Sequence, residues 1–247
     1  MLTDWDPSPV KQKKLPALEV PPIVGVLPFN GAHNPLTRSN TARRVSMAIP
    51  TPATNGVPQL FHFDGEREMA VALEALLSPD LFRLEVQLPK IFFEDPKKKN
   101  FQRKYSGHFF DLRLTFSDGY RRAVYVKNGT SLAKTCTQEE IGAIFEATPP
   151  SFADDLIVVN GDHYTQAYRD NLRRIFHISQ SLNRASDRHV EEVARRGGYW
   201  YISDLTAMCH VEPVLAWRSV MRLIGQRVLI TDWYSVINTH SRVWLNG

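Results

Sequence analysis

Apolar and polar positions along the middle of the chain predict a mixed α/β arrangement. Alternation with a period of two indicates strands, and apolar residues three or four positions apart indicate helices. A helix, three strands, a helix, a strand and a helix in succession are typical of an α/β domain. Between residues 58 and 177 the pattern predicts, in order, a strand at 59–63, a helix that begins at Asp64 and ends near residue 77, strands at 84–93, 106–116 and 122–128, a helix at 138–147, a strand at 156–159 and a helix at 166–176.

The two ends of the chain are patterned differently from this middle part. Residues 1–57 are rich in proline, asparagine, serine and threonine and show no sustained periodicity, which predicts an extended N-terminal arm. Three helices and a closing hairpin, which are typical of a winged helix-turn-helix, are predicted for residues 178–247. These helices are placed at 187–195, 204–209 and 212–224, and the strands at 227–231 and 242–245.

Two of the central strands place polar side chains on one common face. Asp111 lies opposite the aliphatic face of strand 106–116, and Tyr125 and Lys127 lie opposite the aliphatic face of strand 122–128. If the strands form a hairpin that buries both aliphatic faces, these three side chains project to the same side. The numbers of facing residues then add to an even number, so the connecting loop should contain an odd number of residues.

Glu66 lies at the start of an apolar helical stripe, three, seven and eleven positions before Met69, Leu73 and Leu77. A carboxylate buried there needs a partner, and a divalent ion is one. The alternative is structural, because a glutamate in the first turn of a helix is favoured by the helix dipole alone.

Glu66, Asp111 and Lys127 together are the side chains that a magnesium-dependent nuclease needs. Hydrolysis of a phosphodiester by metal ions requires carboxylates to hold the ions and a cation to orient the attacking water. Each residue also has an ordinary structural interpretation, since an aspartate in a strand can cap a loop and a lysine at a strand end is commonly solvated. The pattern therefore indicates a nuclease without excluding these roles.

The same segments resemble a known family, the TnsA-like endonuclease subunits of heteromeric transposases, which belong to the PD-(D/E)xK nuclease superfamily. The similar segments are GEREMAVALEAL with Glu66, VQLP at 86–89, HFFDLRLTFSDG with Asp111, and VYVK with Lys127. The resemblance implies a restriction-endonuclease-like core at 58–177, followed by a winged-helix domain at 178–247. It also implies that Glu66, Asp111 and the backbone carbonyl of Val126 hold Mg²⁺ or Mn²⁺, while Lys127 positions the water.

The resemblance implies a function and also contains one departure. The family's subunits cut one strand of double-stranded DNA at transposon ends, beside a separate transposase subunit and an ATPase regulator. Tyr125 stands where the family pattern has Glu or Gln, and a tyrosine cannot serve as a carboxylate ligand. Two alternatives are therefore kept: a catalytically silent nuclease fold that bridges DNA and partner proteins, and a defence or repair nuclease of the same superfamily.

Three basic clusters are candidate DNA contacts. A loop that contains aromatic residues suits a phosphate backbone or, alternatively, is a solvated hairpin tip. The predicted third helix of the C-terminal part carries two arginines one turn apart, which suits DNA or a protein partner. The arm could follow a phosphate backbone or simply be solvated. These clusters are, respectively, Lys97, Lys98, Lys99, Arg103 and Lys104; Arg218 and Arg222; and Arg38, Arg43 and Arg44.

Composition changes this picture little. The 247 residues carry a net charge of +4, so an argument for nucleic acid has to come from the clusters rather than from the total. No apolar run approaches the roughly 20 residues of a membrane span and the N-terminus lacks the apolar segment of a signal peptide, so we expect a cytoplasmic protein. The chain has no glycine-rich phosphate loop, so any ATPase in its context would be a partner.

Overall fold

The computed structural model describes residues 16–37, 43–98, 104–197 and 200–247, and within them the predicted mixed α/β class is confirmed. In chain order the strands are β1 (Val45–Pro50), β2 (Pro58–Phe63), β3 (Leu81–Val86), β4 (Ile91–Glu94), β5 (Tyr105–His108), β6 (Leu112–Phe116), β7 (Arg121–Lys127), β8 (Asp155–Asn160), β9 (Trp200–Tyr201), β10 (Leu229–Ile230) and β11 (Arg242–Leu245). The helices are α1 (Glu66–Ala75), α2 (Gly129–Leu132), α3 (Thr135–Ala147), α4 (Gln166–Ser179), α5 (Arg184–Arg196), α6 (Ile202–Met208) and α7 (Pro213–Gly225). No helix in this described part of the chain is long and apolar enough to cross a membrane.

The central sheet has four strands in the order β3-β6-β7-β8. The first three are antiparallel neighbours. Strand β8 runs parallel to β7, because the connection through α3 returns the chain to the end of the sheet at which β7 begins. Helices α1 and α4 contribute Met69, Leu73 and Leu172 to the core on one face of this sheet. Helix α3 contributes Ile144 to a second, smaller core that contains Tyr125 of β7.

The loop between β6 and β7 confirms the predicted odd length. Leu112 faces Val124, and the Phe116 N–H donates to the Tyr120 carbonyl at 2.8 Å, so three residues form the turn. The last of them, Gly119, has a φ of 87°, a backbone conformation that glycine adopts without strain. The register argument from alternation therefore holds at this end of the hairpin.

The two long strands predicted at 84–93 and 106–116 were wrong, because each is broken in the middle. Gln87, with a φ of 51°, follows the end of β3, and residues 109–111 separate β5 from β6. Beyond the breaks the chain continues as a separate two-stranded sheet, β4-β5, in which Ile91 faces His108. The break on β6 leaves Asp111 just before the strand rather than inside it.

The extended arm predicted up to residue 57 contains one strand of the structure. Strand β1 lies within that segment and pairs antiparallel with β2 along six residues each, from Val45 opposite Phe63 to Pro50 opposite Pro58. Leu27 joins the other side of β2 through a parallel bridge to Gln59. The segment is thus anchored to the α/β part, which brings residues 43 and 44 close to the start of α1.

The C-terminal part has the helices and the closing hairpin that the sequence predicts, with β9 as an additional strand in a sheet ordered β10-β11-β9. Its core is continuous with that of the α/β part, since α7 packs against both α4 and α5. The approach is close: a Cβ on Gly225 of α7 would lie 2.6 Å from Cγ2 of Ile175 on α4. The boundary predicted at residue 177 falls inside α4.

The long loop between β10 and β11 is fixed to α4 by one buried amide. Asn171 donates through Nδ2 to the carbonyls of Trp233 and Ser235, at 3.1 and 2.8 Å, and accepts from the Ile237 N–H at 3.0 Å. Arg227, at the end of α7, adds an ion pair of 2.9 Å to Glu74 of α1. The C-terminal part is therefore joined to the α/β core by polar bonds as well as by apolar packing.

Arg222, expected on the DNA-facing side of its helix, is instead a core residue. Its side chain is 2% exposed, and Nε and Nη2 both donate to Asp187 of α5, at 2.9 and 2.6 Å to Oδ1. Arg222 cannot reach a phosphate without leaving this carboxylate. Arg218, one turn earlier, remains on the exposed surface.

We expect Arg222→Ala to lower the free energy of unfolding by roughly 3–5 kcal/mol, because the substitution leaves the buried Asp187 carboxylate without its cation. Arg218→Ala, at an exposed position on the same helix, should change it by no more than about 0.5 kcal/mol. Urea denaturation followed by circular dichroism measures both. Similar losses in the two variants would contradict the structural role of Arg222.

Candidate active site

The start of α1 and the end of β7 form the walls of a cleft of about 550 Å³. Side chains from the segment before β1, from the first turn of α1 and from α4 meet there. Five of the lining residues are basic and three are acidic, so the cleft combines both signs of charge. It is lined by Arg43, Arg44, Asp64, Gly65, Glu66, Arg67, Glu68, Val126, Lys127, Asn128 and Arg169.

Asp111 reaches this region through a local irregularity at the start of β6. Its N–H donates to the Val124 carbonyl at 3.1 Å, although Val124 already faces Leu112, so two residues of one strand oppose one of the other, as in a β-bulge. Beyond this point the Asp111 side chain continues the pairing: Oδ2 accepts from the Val126 N–H at 2.6 Å. The aspartate therefore both caps the strand pair and presents its other oxygen beside β7.

Glu68 is the acidic residue that interacts with Asp111. Burial in the first place, and then repulsion from Asp111 and Asp64, raises the pKa of Glu68 to about 9. Burial likewise raises the pKa of Asp111 to about 7, with repulsion from Asp64 adding to the rise, while the Val126 hydrogen bond and Lys127 oppose it. Two carboxyl groups in one poorly solvated place disfavour each other's ionised form, and a cation between them would relieve this.

Glu66, predicted as a metal ligand, is instead held by two arginines of α4. Its Oε2 lies 3.2 Å from Nη2 of Arg169, and its Oε1 lies 3.1 Å from Nη2 of Arg173. These two arginines, through hydrogen bonding and attraction, hold the pKa of Glu66 below its usual value although burial acts the other way. Glu66 lines the same cleft, but both of its oxygens are engaged by cations of the protein.

Asp64 resembles Glu66 in this respect, because it forms an ion pair with Arg44, which also donates to the Asp64 carbonyl. Glu68 forms no ion pair with any residue that the structure describes, and its Oε2 accepts from the Asp64 N–H at 2.9 Å. That bond is a helix-capping interaction, which gives Glu68 a structural role as well. The three acidic residues therefore differ in their partners: Asp64 and Glu66 pair with arginines, whereas Glu68 interacts with Asp111.

Lys127, the last residue of β7, places a positive charge beside these acidic residues. Its ammonium lies 4.9 Å from the centre of the Tyr125 ring, and its charge acts on Asp111. The Tyr125 ring packs edge-on against His108, with centroids 4.2 Å apart, and belongs to the smaller core. Burial and the nearby Lys127 lower the pKa of His108 to about 4, so that Lys127 faces a neutral imidazole. Tyr125 therefore packs in the smaller core and also interacts with Lys127: burial raises the pKa of its hydroxyl, and the hydrogen bond and charge of Lys127 oppose that rise.

The carboxylates suit a hard divalent cation, although the protein supplies few ligands. Glu68 and Asp111 each use one oxygen for a backbone N–H and keep the other free of hydrogen bonds to described residues. In the described ranges, no group of three or more histidine, cysteine or acidic side chains is arranged to hold a metal ion. Mg²⁺ commonly takes one or two carboxylates and completes its octahedral shell with water and substrate phosphate oxygens. The pair fits such a site.

Of the candidate DNA contacts, Arg43 and Arg44 line this cleft, whereas the described residues of the other two clusters do not. Lys97 forms an ion pair with Glu140 of α3, and Lys98 donates to Ser106 at 2.8 Å. Lys104 is exposed, whereas Lys99 and Arg103 lie outside the described residues, as does Arg38 of the arm. The base of the lysine-rich loop is therefore fixed to α3, and its basic charge is partly neutralised there.

Sequence reasoning missed Glu68 and Arg169, and it named Arg44 only as a candidate DNA contact of the arm. Residues 69–73 are all buried, so the apolar stripe of α1 has no single phase that could distinguish Glu66 from Glu68. The arginines come from segments far away in sequence, and no local pattern connects them to α1. The chain matches neither a protein-family model nor a curated protein.

We expect Glu68→Gln to stabilise the protein at pH 8 in the presence of EDTA. With two raised pKa values the folded state binds more protons than the unfolded state between about pH 4 and pH 9, so stability falls as pH rises through this window. Glutamine keeps the acceptor for the Asp64 N–H but removes the charge. The melting temperature should rise by several degrees, at roughly 2–4 °C for each kcal/mol.

Glu66→Gln is the matched control, because it removes a charge two positions away that is already paired with arginines. It should leave the pH dependence of the melting temperature unchanged and lower stability slightly. Thermal denaturation between pH 5 and pH 9 compares the variants. A Glu68→Gln protein no more stable than the wild type at pH 8 would show that the two carboxyl groups do not oppose each other.

Proposed function

We propose that this protein is a magnesium-dependent DNA endonuclease of the TnsA-like type. The observation that carries the proposal is the interacting carboxylate pair Glu68 and Asp111, with Glu68 and Lys127 in the lining of a cleft that has more basic than acidic residues. Carboxylates for a divalent ion, a cation near them and a basic surface for a polyanion are the parts that phosphodiester hydrolysis requires.

The order of elements supports the proposal. Helix α1, the antiparallel strands β3, β6 and β7, helix α3 and the parallel strand β8 follow one another as a PD-(D/E)xK core would require. In the C-terminal part, the sequence α5, β9, α6, α7, β10, β11 with its three-stranded sheet suits a winged helix. In that interpretation α7 would be the recognition helix, with only its first turns and Arg218 exposed.

The residues have the following roles in this proposal. Glu68 and Asp111 would hold Mg²⁺ or Mn²⁺ through their free oxygens, with the Val126 carbonyl close by. The ion would stabilise negative charge on the phosphate and on the leaving 3′-oxygen. Lys127 orients the water that attacks phosphorus, and Asp111 is itself held in place by the Val126 N–H. In this proposal Glu66 is not a ligand but holds Arg169 at the cleft wall.

The biological context proposed here comes from the resemblance. The substrate would be double-stranded DNA at transposon ends, cut on one strand, with a separate transposase subunit and an ATPase regulator as partners. A second candidate is a catalytically silent module that bridges DNA and a partner protein. It is favoured by Tyr125, whose ring occupies the small core below Lys127 instead of providing a third carboxylate or an amide.

Binding of Mn²⁺ is the first test, because it needs no partner protein. Isothermal titration should show that the wild type binds Mn²⁺ and that Glu68→Gln and Asp111→Asn weaken binding at least tenfold, which corresponds to about 1.4 kcal/mol. Glu66→Gln should bind as the wild type does, since its carboxylate is occupied by arginines. Loss of binding in Glu66→Gln but not in Glu68→Gln would overturn the assignment of the ligands.

Nicking of supercoiled DNA in the presence of Mg²⁺ or Mn²⁺ is the second test. We expect Asp111→Asn and Glu68→Gln to abolish it and Glu66→Gln to retain part of it. The reaction should be repeated with a transposase subunit encoded beside the chain, where one exists. Metal binding without strand cleavage under both conditions would favour the silent bridging module.

A further inference from the structure

Two arginines in the cleft each have one buried nitrogen that bonds to none of the residues described by the structure. Arg169 of α4 donates through Nη1 to the Tyr164 carbonyl at 2.6 Å and pairs with Glu66 through Nη2, while its Nε has no hydrogen bond. Arg44 pairs with Asp64 and donates to its carbonyl through Nη1, and its Nε is likewise unpartnered. Both residues line the cleft.

An unpartnered buried N–H costs roughly 1–3 kcal/mol, so two such groups in one cleft call for an acceptor. The acceptor has to be anionic to compete for arginine, and the excess of basic over acidic residues in the lining favours an anion from outside. A phosphate suits the planar guanidinium. Because each Nε is closed to solvent, the phosphate would meet the exposed part of each group. There Nη2 of Arg169 keeps a second hydrogen to donate, and Arg44 offers Nη2 beside the Nη1 that contacts Asp64.

The two arginines are positioned by acids that alternate with Glu68 in sequence. Asp64 holds Arg44, which comes from the segment before β1, and Glu66 holds Arg169, which comes from α4. Glu68, between them in sequence, faces Asp111. One short stretch of chain therefore fixes two cations from different elements beside the carboxylate pair.

We propose that Arg44 and Arg169 bind backbone phosphates of the DNA strand that enters the cleft, and that Asp64 and Glu66 are positioning residues which hold these arginines in place. The inference rests on the proposed function and adds to it the groups that place the strand against Glu68 and Asp111. It also gives Glu66 a role in substrate binding through Arg169 instead of through a metal.

Arg173 provides an internal control. It lies one helical turn after Arg169 and contacts the same Glu66, but its Nη1 is paired with Asp170 at 3.1 Å and it does not line the cleft. Loss of Arg173 perturbs Glu66 without removing a phosphate contact. Arg83, an exposed residue of β3 at the far edge of the sheet, controls for the loss of one positive charge.

The test is binding of a short DNA duplex in EDTA, measured by fluorescence anisotropy across a series of salt concentrations. We expect Arg169→Gln and Arg44→Gln to weaken binding roughly 5- to 20-fold at low salt and each to reduce the salt slope by about 0.9, because one phosphate contact is lost. Arg173→Gln and Arg83→Gln should stay within about twofold of the wild type. Arg169→Lys, which keeps the charge but not the fork, should keep most of the slope.

Thermal melting followed by circular dichroism verifies that each variant is folded. If Arg169→Gln does not fold, Arg169→Lys takes its place as the conservative replacement. Wild-type binding and slope in both Arg169→Gln and Arg44→Gln would overturn the inference, even if the wild type cuts DNA. Equal losses in Arg173→Gln and Arg169→Gln would also overturn it, since the effect would then be structural. DNA affinity could fall only in Arg169→Gln and Arg44→Gln while the wild type neither binds Mn²⁺ nor nicks DNA. That result would support the phosphate contacts and would contradict only the proposed endonuclease activity.

Discussion

The crowding of carboxylates at the start of α1 is the constraint on which the rest of this structure depends. Asp64, Glu66 and Glu68 lie within one turn of each other, and Asp111 approaches from the sheet. Like charges this close are tolerated only where cations or protons compensate them. The fold supplies the cations from outside: Arg44 from the segment before β1, and Arg169 and Arg173 from α4. The geometry of the cleft follows from this charge balance.

The compensation of charge is incomplete at Glu68 and Asp111. Arg67, which lies on the same turn as the acids, pairs with Asp162 at 2.8 Å rather than with Glu68, so the nearest basic residue in sequence is engaged elsewhere. Glu68 and Asp111 are consequently left as the pair that a proton or a metal ion has to neutralise. Such unsatisfied electrostatics cost stability, and perturbed carboxyl groups of this kind are common at functional sites.

Alternation and register were predictable from the sequence because they depend on neighbouring residues. The odd loop between β6 and β7 follows from the aliphatic positions of Leu112 and Val124 on their strands, since a period of two admits only certain pairings. The breaks at Gln87 and before Asp111 were not predictable in this way. Phe109 and Phe110 continue the apolar pattern through the second break, and a bulge changes the pairing without changing the composition. At the first break Pro89 is a signal in the sequence, since proline cannot donate to a strand ladder.

Long-range partners escaped prediction for a different physical reason. Arg218 and Arg222 occupy the same face of α7 in sequence, but Asp187 of another helix buries one of them. In the same way, Glu66 and Glu68 became different only when the arginines of α4 came close to one of them. A sequence states which charges exist, whereas tertiary contacts decide which charges are compensated.

Helix α4 contributes both to the cleft and to the packing of the C-terminal part of the chain. Near its start it carries Arg169 into the cleft, and farther along it packs against α7 and holds the β10-β11 loop through Asn171. The packing of the C-terminal helices and the position of Arg169 in the cleft therefore depend on one continuous helix. The two parts of this chain are for that reason poor candidates for exchange as independent modules. A graft at the predicted boundary, residue 177, would cut α4, against which both parts pack.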